Sequence, residues 1–71
     1  MHLRYKANDT SVRYSLRNTQ ISCINVFGQR IVDGKGTDLA NAIYTLPHLE
    51  YICLDESTIG LEIWQAISDR I

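Results

Sequence analysis

The sequence predicts a single small α+β domain whose C-terminal half is α/β-like. Three observations carry this. Residues 2–6 and 11–16 alternate apolar and polar side chains around a polar turn. Residues 21–27 and 49–54 are apolar runs that do not alternate strictly. Each run leads into a turn and then an amphipathic segment. The predicted order is β-β-β-α-β-α, a mixed four-stranded sheet with two helices packed on one face.

In the first segment Leu3 and Tyr5 point one way, and His2, Arg4 and Lys6 the other. This period of two is that of a half-buried strand. Ala7, Asn8, Asp9 and Thr10 form the turn, with Asn and Asp tolerating tight backbone. In the second segment Val12, Tyr14 and Leu16 point inward, while Ser11, Arg13, Ser15 and Arg17 point outward. Residues 1–19 therefore read as an antiparallel β-hairpin, and residues 20–71 as a βαβα unit of the same domain. The run from Ile21 to Phe27 reads as a strand buried on both faces. Residues 28–36 form a loop rich in breakers, and Thr37 or Asp38 caps a helix with the apolar stripe Leu39, Ala42, Ile43 and Leu46. Pro47 stops that helix. After the second apolar run, Asp55, Glu56, Ser57 and Thr58 turn the chain into a last helix. There Ile59, Ile63, Ile67 and Ile71 recur every four residues.

At 71 residues the chain makes one domain with a thin core. The hydrophobic share of 45% and charged share of 21% are those of a globular protein. Cys23 and Cys53 both lie in apolar runs and read as core residues. A metal site from Cys23, Cys53, His2 and His48 lacks any close-spaced ligand pair. Arg4 and Lys6 are followed by no apolar leader segment, and no apolar run approaches a membrane span. A reducing, cytoplasmic setting with no membrane association is the expected default.

The net charge of −1 hides a sharp asymmetry. Residues 1–35 carry six cations against Asp9 and Asp33, and residues 36–71 carry Arg70 against six carboxylates. Such a split predicts a basic face and an acidic face.

The two βα stretches superpose. Ile21, Ile24, Val26, Ile31, Leu39 and Ile43 align with Leu49, Ile52, Leu54, Ile59, Ile67 and Ile71, a period of 28 residues. This spacing resembles leucine-rich repeats of the ribonuclease-inhibitor type, which implies stacked strand–helix units. The asparagine expected after the strand is Arg30 in one unit and Thr58 in the other. The pair Leu54-Asp55 is also similar to a strand end in sulphate-transporter/anti-sigma-antagonist domains. That family's phosphorylated Asp-Ser-Ser-Gly segment has no counterpart here, so no phosphosite carries over to Ser57.

Three surfaces are candidates for binding. Arg4, Lys6, Arg13 and Arg17 form the predicted basic face, suited to an acidic protein or to RNA or DNA phosphates. Asp55, Glu56, Glu62 and Asp69 form the predicted acidic face, suited to a basic partner. Gly34, Lys35, Gly36 and Thr37 open a helix after a strand, where backbone N–H groups could hold a small anion or nucleotide. A P-loop spacing is not met, because five residues separate Gly28 from Gly34 and Gly36 stands at the hydroxyl position. Neither His2 nor His48 has an acid–base partner at motif spacing. The expectation is a non-enzymatic protein-binding, regulatory or inhibitor-like module without a cofactor. It would work through an exposed strand edge or a charged face, with homodimerisation through an edge as one route.

Overall fold

A computed structural model describes all 71 residues, with α+β content as expected. The elements in order are β1 (His2–Arg4), α1 (Thr10–Ser15), β2 (Cys23–Asn25), β3 (Arg30–Ile31), α2 (Thr37–Thr45), β4 (Tyr51–Cys53), β5 (Thr58–Ile59) and α3 (Leu61–Arg70). All strand pairing is parallel. One sheet has the order β1-β2-β4, and a second, two-stranded sheet joins β3 to β5.

The pairing turns the 28-residue spacing into geometry. Ile24 pairs with Ile52, and Ile31 with Ile59. Residues 21–48 and 49–71 are thus two coils stacked in register, each with a strand, a corner, a second short strand and a helix. Bonds between the two coils continue from one sheet to the other: Gly28 N–H donates to Asp55 O, and Gln29 N–H to the Ser57 side-chain Oγ. Residues 1–20 make a shorter first coil, stepped by 21 residues, with Leu3 beside Ile24. It has no second strand. The Gln29 side chain fills that role, donating to Tyr5 O (2.6 Å) and accepting from Ala7 N–H (2.7 Å).

The core lies between strands and helices. Ile21, Ile24, Val26, Ile31, Leu39 and Ile43 are fully enclosed, and Tyr5 and Ile63 nearly so. The helical stripe Leu39, Ala42, Ile43 and Leu46 is buried as its spacing predicts. Two glycines permit close approach. A Cβ on Gly36 would lie 2.6 Å from both Ile31 Cγ2 and Ile63 Cδ1, and one on Gly60 would lie 2.7 Å from Asp33 N. Asp33 Oδ1 accepts from Glu62 N–H (3.0 Å), so the carboxylate of one coil caps the helix of the next.

Four expectations are corrected. Residues 10–15 are helix, so the N-terminal hairpin does not exist. Asp9 caps this helix by accepting from Ser11 N–H (3.0 Å). Val12 and Leu16, four apart, share its buried face, whereas Tyr14 is 65% exposed. With a helix in place of the hairpin's second strand, β1 and β2 run parallel. The mixed four-stranded sheet is instead two parallel sheets, and the helices number three. The expected loop at residues 28–36 and the expected turn at 55–58 each contribute to a short strand, β3 and β5. Finally, Gly36 rather than Thr37 or Asp38 is the cap of α2.

Candidate functional site

The stack has two unlike ends. In the first coil Leu3, Tyr5, Val12 and Leu16 are all buried. In the third coil most counterparts of enclosed residues are less covered, although Leu49, opposite Ile21, is buried. Ile24, Ile31 and Leu39 are 0% exposed. Their partners one coil later, Ile52, Ile59 and Ile67, are only partly buried, as is Leu54. Trp64 and Ile71 are exposed. A cleft of about 380 Å³ opens here, lined by Ile43, Leu49, Ile52, Ile67 and Ile71 beside Arg70. The Arg70 guanidinium donates to Ile43 O (2.8 Å) and Leu49 O (3.0 Å), which ties α3 to the end of α2. β4 and β5 each pair on one side only, leaving backbone N–H and C=O groups on the other.

A second surface is the outer face of the three-stranded sheet. Register aligns His2, Cys23 and Tyr51 in one row and Arg4, Asn25 and Cys53 in the next. By the period of two, Lys6, Phe27 and Asp55 continue the pattern. Phe27 and Tyr51 are 55% and 63% exposed. Arg4, Lys6 and Phe27 line one cleft of about 450 Å³. His2, Cys23 and Cys53 line another, yet no three His, Cys, Asp or Glu groups gather to hold a metal ion. Both thiols are free, with Cys23 buried and Cys53 half-buried.

The predicted basic quartet is divided. Arg4 and Lys6 share the sheet face, but Arg13 and Arg17 belong to the α1 region and turn toward α2. Arg13 Nε lies 3.8 Å from Asp38 Oδ2, and Arg17 sits over the Tyr14 ring at 5.3 Å. The split follows from α1, because a helix does not continue a strand's alternation. The acidic quartet is divided as well. Asp55 and Glu56 occupy the turn between β4 and β5, with Glu56 in left-handed backbone (φ 55°). Glu62 and Asp69 lie two turns apart on α3, beside α2. Asp69 accepts from Tyr44 Oη (2.6 Å), which holds the carboxyl below its ordinary range and raises the phenol.

The Gly34–Thr37 segment does form a helix entrance. Gly34 is left-handed (φ 85°), and Gly36 caps α2. The entrance already holds carboxylates. Asp38 Oδ1 accepts from Leu39 N–H (2.9 Å), and Glu62 stands by the Thr37 hydroxyl (3.5 Å). These charges oppose a further anion there. Asp38 also accepts from the Tyr5 hydroxyl at 2.8 Å. Burial first, then this bond, push the Tyr5 phenol well above its usual range.

Sequence reasoning missed Gln29, Phe27 and Tyr51. The 28-residue alignment held part of the signal, since it fixes which parity of each strand faces out. The 21-residue step of the first coil, which brings Arg4 and Phe27 to one face, has no counterpart in that alignment. No protein family, curated protein or solved structure compared with the chain matches it.

Proposed function

We propose that this chain is a non-enzymatic protein-binding module whose recognition surface is the open end of its third coil. The carrying observation is the contrast between Ile24, Ile31 and Leu39, fully enclosed, and Ile52, Ile59 and Ile67, only partly buried at equivalent positions. Full burial of an aliphatic side chain stabilises by about 1.5–3 kcal/mol. Covering this end therefore supplies favourable free energy, and the free strand edges supply hydrogen bonds to an added strand. A reducing, cytoplasmic setting belongs to the same reading and agrees with the two free thiols.

The test is capture from lysate with the unmutated chain and with Ile59→Lys, each checked for fold by circular dichroism. A protein retained by the first and lost by the second supports the reading. An identical bound set from both overturns it.

A second reading is RNA or DNA binding on the sheet face. Phe27 and Tyr51 favour it, because they share that face with Arg4 and Lys6, as base stacking beside phosphate contacts requires. Asp55 on the same face opposes it. A salt-sensitive gel shift weakened by Arg4→Glu supports this second reading, and no shift at low salt removes it.

A further inference from the structure

The third coil needs a cover, and the chain itself carries a matching strand. We infer that the open third coil is covered by the first coil of a second copy, stacked head to tail. This rests on the reading of that end as a protein-binding surface and names its partner.

The strand pattern supports the match. β1 and β4 are the two edges of one parallel sheet. A second copy's β1 laid along β4 continues the parallel ladder without reversing direction. Leu3 pairs with Ile24, and Ile24 with Ile52. The next row therefore places the incoming Leu3 beside Ile52. Three residues on, the incoming Lys6 comes beside Asp55, and the incoming Arg4 falls beside Cys53, one row from Asp55. Unlike charges opposite each other on adjacent strands are favourable, and like charges unfavourable.

Charge along the stack points the same way. In the first coil Arg4, Lys6, Arg13 and Arg17 outweigh Asp9, a net +3. The second coil is neutral, with Arg30 and Lys35 against Asp33 and Asp38. In the third, Glu50, Asp55, Glu56, Glu62 and Asp69 outweigh Arg70, a net −4. A two-fold dimer joining β4 to β4 antiparallel would bring Glu50 of each copy toward Asp55 and Glu56 of the other, like charge against like. Head-to-tail contact sets the acidic coil against the basic one, with Arg4 and Lys6 facing Asp55, because Arg13 and Arg17 turn toward α2 and Glu62 and Asp69 lie beside it. Such a heterologous contact leaves a free end on every copy, so assembly does not stop at two.

The experiment uses the 71-residue chain and measures mass by light scattering across a wide concentration range. Mass is expected to grow past the dimer and to fall as salt is raised. Two variants block opposite ends: Arg4→Glu with Lys6→Glu, and Asp55→Lys with Ile67→Lys. Each alone is expected to stay monomeric, and an equimolar mixture to give a dimer holding one of each. Asp55→Lys alone, which leaves the apolar end intact, is expected to weaken association by about tenfold. An unmutated chain that remains monomeric overturns the inference, as does growth that ends at a dimer or a mixture that stays monomeric. In those cases the comparison with Ile59→Lys in lysate still decides whether another protein uses this end.

Discussion

At the scale of single residues, two polar side chains do work that apolar burial cannot. The Tyr5 hydroxyl reaches from the first coil to Asp38 of the second. Its phenol is raised in the folded state, chiefly by burial. A free phenol titrates near 10. Between that value and the higher folded one, the folded chain keeps a proton that the unfolded chain has released. Stability from this group is thus complete below pH about 10 and is lost as pH rises further. Urea unfolding followed through the alkaline range is expected to show this decline, and Tyr5→Phe to flatten it. Gln29 bridges to Tyr5 O and Ala7 N–H in place of a missing strand. Gln29→Ala is expected to cost about 1–3 kcal/mol in urea unfolding, because two part-buried backbone groups lose their partners. Faster amide exchange at Ala7 is the local signature.

At the scale of elements, the glycine before each longer helix sets how closely the coils nest. Gly60→Ala puts a methyl group against the Asp33 backbone and side chain. It is expected to destabilise by about 1–3 kcal/mol in the same assay, typical of overpacking. Elements also separate what sequence reveals from what it hides. The second and third coils were legible because Ile24 and Ile52, or Ile31 and Ile59, repeat an apolar pattern that burial demands. Residues 10–15 were not, since Val12, Tyr14 and Leu16 fit a strand by alternation while Val12 and Leu16 fit a helix by spacing. The cap decides it: Asp9 accepting from Ser11 N–H starts a helix, and Tyr14 then turns to solvent. That one misread element also misplaces Arg13 and Arg17, so half of the expected basic face was wrong. The open end was legible only in outline. An exposed edge strand was expected, but which edge carries apolar surface emerges only from burial, complete for Leu3, Tyr5, Val12 and Leu16 at one end and partial for Ile52, Ile59 and Ile67 at the other.

At the scale of the whole molecule, stability is graded along the stack. The middle coil is covered on both sides, and the first and third are each covered on one, the first with its apolar side chains buried and the third with its own only partly so. Amides of residues 51–59 are therefore expected to exchange faster than those of residues 23–31 in native-state hydrogen exchange. Equal protection in the two stretches would show that the third coil is not the weak end. Association at that end is expected to slow its exchange selectively.

The short step between paired strands also shapes how the chain reaches its native state. Each strand's partner lies one coil away, at a separation of 21 or 28 residues. Parallel sheets are ordinarily slow to assemble because distant segments must meet. Here no strand has to search beyond the adjacent coil. Once any two neighbouring coils have met, the remaining one adds by a local closure, so ordering spreads outward like a zipper.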